Sequence, residues 1–462
     1  MAGNNTLLLA RFAVEAPVGA AARAKAAEAI VDSLAVMIAG SIEPGVRALA
    51  STLPSDATGP RSVPSLWSKA SYRDDDAALL FGMASHVLDY DDVSMLAICH
   101  PSVPVLTALL CAEPWDGLPG AALCEALAIG SEVMIRLGET IGFHHYELGF
   151  HATATLGVFG ATAAVARIRG LSVAQTANAL AIAASLSSGL RVNFGSMIKS
   201  LHVGIAAANA LRAVSWAAAG VEATTADVFA ETGFFGAFSG GETGDAPLPA
   251  LGQPFVIAEP GFERKRFPCC YMLHKMISGS LALARDHDLG LDLIRHATVR
   301  MPIGGSRPLN HPVPSTGMQG KFSGPYAVLA AINDRRIGFA SFTDAAVMRP
   351  EIRQRLADVE IVEAGDRALS AREVEAAPIT VSLRLRDGRV LERTVDVTPG
   401  SAGDPMTSAE LAEKWQDCVL RAAPSLAAID ADEILHAGWG YLGAPAPIGP
   451  WLRTITGAIV AP

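Results

Sequence analysis

Four short segments hold most of the side chains able to move a proton or bind an anion. The first reads His86-Val87-Leu88-Asp89-Tyr90-Asp91-Asp92, followed by His100-Pro101-Ser102. Carboxylates and imidazoles this close together suit three tasks: holding a divalent metal, capping a helix, or moving protons. Crowded carboxylates raise one another's pKa, and an adjacent histidine can be kept in a chosen protonation state. For a single residue the plain alternative is a cap formed by Asp91 or Asp92, with His86 as a satisfied core group. The density of the cluster favours chemistry.

The second segment, Gly149-Phe150-His151, stands just before a long apolar stretch expected to be helical. Backbone N–H groups at such a start favour an anion beside the imidazole, although a lone histidine there also suits a cap. In the third, Gly195-Ser196-Met197-Ile198-Lys199-Ser200-Leu201-His202, the lysine enters an alanine-rich helix and needs either a route to solvent or an anionic partner. The fourth runs Lys265-Arg266-Phe267-Pro268-Cys269-Cys270-Tyr271-Met272-Leu273-His274. A helix starting after Pro268 would put Cys270 and His274 at i, i+4 on one face, as a thiol and imidazole pair. Two adjacent cysteines and one histidine make a poor zinc set, so no metal is expected.

Other routes to function lose support on inspection. Gly438-Trp439-Gly440-Tyr441-Leu442-Gly443 has the letters of a dinucleotide loop, but Pro445, Pro447 and Pro450 follow where its helix should open. Neither a P-loop, a G-x-S-x-G elbow nor an H-E-x-x-H motif occurs, so no cofactor is expected. The net formal charge of -10 argues against a nucleic-acid surface. It also means that an anionic substrate must be drawn in by local cations. The 6 cysteines show no C-x-x-C spacing and do not suggest a disulfide scaffold, which points to the cytoplasm. No secretion signal is apparent. The central apolar run of residues 152–166 stops at Arg167, short of the roughly 20 residues that a bilayer needs, so no membrane is expected.

These segments must be positioned by packed elements, and half of the 462 residues are apolar, enough to bury sizeable cores. From about residue 20 to 220 the chain repeats Ala-rich segments of helical period, broken by Gly and Pro. In residues 24–40, Ile30, Leu34, Met37 and Ile38 share a face; residues 173–186 and 203–219 read likewise. Near Pro260 the character changes. Residues 297–302, 379–385 and 389–397 alternate in the β manner, with Asp387-Gly388 as a hairpin turn between the last two. Helical patterns at 325–333 and 345–357 lie between them, and residues 408–423 turn helical again. The expected fold is mainly α. A large all-helical domain (1–258 and 400–462) carries a smaller inserted α/β (α+β) domain (259–399).

In order and wording these segments resemble the MmgE/PrpD family. The resemblance runs from Asp32-Ser33-Leu34 and Gly40 through Leu88-Asp89-Tyr90-Asp91-Asp92, His100-Pro101-Ser102, Gly149-Phe150-His151 and Leu156-Gly157-Val158-Phe159-Gly160. It continues through Met197-Ile198-Lys199, His202, Gly204, Ala207, Asn209 and the whole fourth segment to Lys321-Phe322-Ser323 and Gly403-Asp404-Pro405. It implies a homodimer of cofactor-independent enzymes with a site between the domains, acting on a small di- or tricarboxylate. The family's activities include 2-methylcitrate dehydration, cis-aconitate decarboxylation and iminodisuccinate epimerisation. By the same resemblance Asp89, His100, His151, Lys199 and Lys265 fall on positions of substrate binding and proton transfer, and His274 on the histidine closing the fourth motif. Cys270, Val93 and Pro308 stand where the animal decarboxylases carry a histidine, a hydroxyl residue and, nearby, a tyrosine.

Together the residues provide what proton abstraction next to a carboxyl or carbonyl group requires. Lys199 and Lys265, with Arg266 in reserve, would pair with substrate carboxylates and stabilise the enediolate-like charge. His100 and His151 are the acid and base candidates, and Asp89 either orients an imidazole or is itself a base. A dehydratase-like lyase is the first expectation, an epimerase or a decarboxylase the alternatives. A catalytically silent binding protein of the same fold is the reading from another class.

Overall fold

The structure is a computed structural model, and it describes residues 4–241, 248, 250–367, 369 and 371–460. The fold is mainly α with a smaller sheet-containing part. By contacts the chain divides into two compact units. One comprises Met1–Val192, Met197–Phe262 and Thr407–Pro462; the other comprises Asn193–Ser196 and Glu263–Met406.

The first unit is built on helices α1 (Ala20–Gly40), α2 (Asp74–His86), α3 (Ser102–Ala112), α4 (Gly120–Ile141), α5 (Ala152–Thr155), α6 (Gly157–Ile168), α7 (Val173–Ala184) and α8 (Met197–Ala218). The expected apolar face of α1 is buried, and so is nearly everything after Ala29: Asp32 and Ser33 are enclosed along with Ile30, Leu34, Met37 and Ile38. A helix apolar on all sides is a core helix. No single helix among the described residues is long and apolar enough to cross a membrane. The stretch expected as one helix after His151 is interrupted at Leu156, which separates α5 from α6.

Small residues set how closely these helices approach. Helices α2 and α8 pack along each other. A Cβ on Gly82 would lie 2.4 Å from the Gly204 backbone, and one on Gly204 would lie 2.5 Å from the Leu79 carbonyl oxygen. Gly130 of α4 and Gly160 of α6 meet in the same way. The backbones touch there, and a side chain would force them apart.

In the second unit α9 (His274–Asp286) and α10 (Gly324–Asp334) pack together and against a four-stranded sheet of β1 (Ile294–Met301), β2 (Val359–Glu363), β3 (Ile379–Leu385) and β4 (Val390–Val395). The order is β2-β1-β3-β4, with β1 parallel to β2 and antiparallel to β3. The Asp387-Gly388 hairpin joins β3 to β4, with Gly388 at φ 91°. Val299, Val381 and Leu383 point into the core with Met276, Ile277 and Tyr326. Two expectations fail here. Residues 345–357 do not form one helix, because Pro350 lacks the N–H that a helix interior needs; two short turns, Asp344–Val347 and Pro350–Arg353, replace it. Strand β2, at the sheet edge, shows no clear alternation in Val-Glu-Ile-Val-Glu and is missing from the sequence reading.

The C-terminal segment adds α11 (Ser408–Ala422), α12 (Ala428–Leu442) and α13 (Gly449–Val460) to the first unit. Thr407 and Glu410 form a capping box at the start of α11. Gly438 and Gly440 sit inside α12, where a Cβ on Gly438 would lie 2.5 Å from the Trp451 ring. That glycine makes room for an indole and has no part in a nucleotide loop.

Candidate active site

The four segments sort between the two units. Asp89, His100, His151 and Lys199 come together in the first. Helix α2 carries His86 in its last turn, and the chain then reverses at Asp89, whose φ of 52° lies in the left-handed region. Aspartate tolerates that region better than most residues do. Ile98, at φ 49°, is a β-branched residue in the same region, a cost of about 1–3 kcal/mol paid two positions before His100. The His100 N–H donates to Thr153 Oγ1 at 3.1 Å, which fastens this loop to α5.

A carboxylate lies at the centre of the group. Asp91 Oδ2 stands 2.8 Å from His86 Nδ1 and 3.0 Å from His100 Nδ1. The two rings meet edge to face with centroids 4.4 Å apart. Burial by itself would raise the Asp91 pKa, but the two imidazoles outweigh it and hold the carboxyl well below its usual range. Burial lowers His86 to about 3, so it is neutral. Asp89 faces elsewhere: Lys199 Nζ donates to its Oδ1 at 2.7 Å, while His100 Nε2 is 3.9 Å from the same oxygen. Lysine 199 thus satisfies its need for an anionic partner. The carboxylate within reach of the His100 imidazole is Asp91.

His151, the N-cap residue of α5, anchors its backbone N–H on the Gly189 carbonyl at 3.1 Å. Its Nδ1 lies 3.0 Å from Nδ1 of His202, and its ring stacks over His86 with centroids 5.8 Å apart. Burial, then the Lys199 charge, holds His151 well below the usual imidazole value and takes His202 to about 4. Both rings are therefore neutral, and a single proton is shared across the Nδ1 pair. His202 closes the third segment but has no role among the sequence-derived site residues; its i, i+3 spacing from Lys199 on α8 is the signal that places it beside the site.

A second group of charges stands behind the acidic turn. Lys414 of α11 pairs with Asp32 of α1 at 2.7 Å, donates to the Tyr90 carbonyl at 2.8 Å, and lies 3.9 Å from the Tyr90 ring centre. Asp92 accepts from the Ser102 hydroxyl at 2.5 Å; burial and the neighbouring Asp32 raise its pKa to about 7.

His86, Asp89, Asp91 and His100 each offer a ligand atom, all within 4.8 Å of one another, and among the described residues they are the set able to hold a metal ion. The observed contacts use those atoms otherwise. Lys199 pairs with Asp89, His86 Nδ1 hydrogen-bonds to Asp91, and His100 Nδ1 lies 3.0 Å from the same Asp91 oxygen.

Lys265, Arg266, Cys270 and His274 belong to the second unit. Lys265 and His274 are fully enclosed, Cys270 is buried, and Arg266 pairs with Asp404 at 3.5 Å. Lys321 clamps this segment twice: its Nζ donates to the Pro268 carbonyl at 2.8 Å, and its carbonyl accepts the Cys270 N–H at 3.0 Å. The expected i, i+4 pairing of Cys270 with His274 on one helix does not form. Cys270 is extended, residues Tyr271–Leu273 make a 3-10 turn, and α9 begins only at His274. The 6 cysteines are buried and no disulfide joins them.

The first unit thus brings two imidazoles, His86 and His100, to one buried carboxylate, with the Lys199–Asp89 pair beside them. The MmgE/PrpD N-terminal domain matches residues 8–246 and the MmgE/PrpD C-terminal domain residues 267–437, and the chain belongs to this family. It is similar to the cis-aconitate decarboxylase of Homo sapiens, at 29% identity over 74% of this chain and 71% of the relative. The cis-aconitate decarboxylase of Aspergillus terreus is 24% identical over 71% of each chain. The family and these relatives support an enzyme of lyase type.

Proposed function

We propose that this chain is a lyase that abstracts a proton from the carbon next to a carboxyl group of a small polycarboxylate, most simply as a dehydratase of a 2-methylcitrate-like acid. The observation that carries the reading is the Asp91-bound His100 imidazole beside the Lys199–Asp89 pair. His100 has the more exposed ring of the two histidines on Asp91, with 13% of its side chain accessible against none for His86. It is the base; Lys199 meets a substrate carboxylate and stabilises the charge that builds on it as the proton leaves. His151, sharing a proton with His202, is the group that returns a proton to a leaving hydroxyl or to carbon. Lys265 and Arg266, with Cys270 and His274, bind the substrate by family resemblance. No metal or organic cofactor takes part, so activity should survive exhaustive chelation.

Decarboxylation of cis-aconitate is the second reading, favoured by the relatives' activity; Val93, Cys270 and Pro308 speak against it. Proton NMR in deuterated water, with citrate-like, cis-aconitate and aspartate-derived acids, separates the cases. Dehydration gives an alkene with loss of hydroxyl, decarboxylation releases carbon dioxide, and epimerisation leaves composition unchanged while deuterium enters carbon. Absence of all three with every acid would leave the silent binding protein. Full exchange and turnover in folded His100→Asn and His151→Asn variants would remove both histidines as the base and turn attention to Asp89.

A further inference from the structure

Nothing in the proton-transfer reading above assigns a task to His86 or Asp91. Asp91 is fully enclosed, yet a single oxygen of it lies within hydrogen-bond distance of two different imidazoles. An ionised carboxylate is acceptor only, so His86 donates to it from Nδ1 at 2.8 Å; His100 Nδ1, 3.0 Å from the same oxygen though not aligned as a full hydrogen bond, is tolerated there as N–H, because a ring lone pair would repel the carboxylate. His86 has no accessible side-chain surface and cannot touch a substrate. Its Nε2 is buried without a hydrogen-bond partner among the described residues, as suits a neutral ring whose one proton is on Nδ1. Both contacts fall on Oδ2 of Asp91, and the edge-to-face contact of the two rings, with centroids 4.4 Å apart, orients His100 beside it.

We infer that Asp91, held by His86, is a positioning residue that fixes His100 as the Nδ1–H tautomer and so places the ring's lone pair on Nε2. The inference rests on the assignment of His100 as the base. In one step it accounts for three facts: a histidine that substrate cannot reach, a carboxylate held by two rings, and the His100 Nε2 standing 3.9 Å from Asp89 Oδ1, beyond direct hydrogen bonding. During abstraction the substrate's proton moves to Nε2, and the ring becomes an imidazolium stabilised by Asp91 with no net transfer to Asp91. Asp89, Lys199, His86 and His151 are the charged or titratable groups around the ring, and none of them needs to change protonation state for that step.

The tautomer is read directly, without substrate, by long-range proton–nitrogen NMR of the full chain labelled with nitrogen-15 in histidine, the His100 signals being assigned with His100→Gln. The expected wild-type spectrum has a protonated, pyrrole-type Nδ1 and a pyridine-type Nε2. In Asp91→Asn the amide can donate to Nδ1, so the population should shift toward Nε2–H. The turnover number should fall by up to about 10⁴-fold with KM little changed, the loss known when a tautomer-fixing aspartate becomes asparagine. His86→Gln keeps a donor for Asp91 and should retain most activity, whereas His86→Leu should lose at least tenfold. A wild-type Nε2–H spectrum overturns the inference, and so does a turnover number within threefold of wild type in Asp91→Asn. Should Asp91→Asn not fold, the wild-type spectrum and the His86 pair decide. If His100→Gln keeps full exchange and turnover, the assignment of His100 as base fails, while the spectrum still reports on the tautomer separately.

Discussion

Lys199 combines two demands that elsewhere fall on separate residues: it is buried in an alanine-rich helix, and it carries a charge. The ion pair with Asp89 meets the first demand, and exchange of that partner for a substrate carboxylate would meet the second. Removing the ammonium should therefore slow chemistry, and because it also leaves the Asp89 carboxylate buried without its cation it should weaken the fold, so rates are compared at temperatures where each variant stays folded. For Lys199→Ala and for Lys265→Ala we expect kcat/KM to fall by the equivalent of about 2–4 kcal/mol of barrier, measured in initial rates beside circular dichroism of the same samples. Unchanged rates in both would remove the anion-binding argument. At this scale much is legible in the sequence. Asp89, His100, His151 and Lys199 stand out by residue type in crowded or apolar settings, and they meet in the first unit. What stays hidden is pairing, because which carboxylate reaches which imidazole depends on the reversal at Asp89, and nothing in the letters distinguishes Asp89 from Asp91.

Among the elements, α11 has the least obvious connection to the site and one of the firmest. Lys414 joins it to α1 through Asp32 and to the acidic turn through the Tyr90 carbonyl, between Asp89 and Asp91. Truncating it leaves Asp32 buried with its charge uncompensated. Lys414→Met should destabilise the protein by about 3–5 kcal/mol in urea titrations, and activity should fall even at temperatures where the variant is folded. A loss below about 1 kcal/mol would mean that Asp32 is neutral or hydrated. The helices and the hairpin are readable from period and turn chemistry. Strand β2 is not, since it is short and half exposed, and neither is the 3-10 turn before α9, where the chain geometry around Pro268 and Cys270 outweighs the i, i+4 pattern.

For the molecule as a whole, buried ionisable groups set how stability depends on pH. Burial holds His86, His145 and His202 at about 3, about 4 and about 4. Values depressed in the folded state contribute stability that is present above the unfolded imidazole value and is lost as pH falls toward 4, about 2 kcal/mol per histidine by pH 5. Asp92 works in the opposite sense. Its raised value of about 7 favours the fold below the unfolded carboxylate value, and that contribution is lost as pH rises through 7. The histidines outnumber it, so the urea midpoint should drop from about pH 6.5 to about pH 5. Asp92→Asn should raise stability at pH 8 by on the order of 2 kcal/mol with little effect at pH 4. A flat profile from about pH 5 to 8 would contradict both.

The contact of Gly82 with Gly204 has a consequence of another kind. These glycines lie within about a turn or two of His86 and Lys199 on the two helices that carry them, and they have no side chain left to trim. The separation of α2 from α8 is thus already at its floor, and inherited variation at the crossing can act in one direction only. Any replacement widens the gap. Gly82→Ala should cost about 1–3 kcal/mol of stability and lengthen the reach from Lys199 to Asp89, seen as a fall in turnover. An alanine variant with unaltered turnover and melting temperature would show that the crossing has slack. Without slack, a lineage can explore substrates by changing what lines the site, but it cannot make this site tighter.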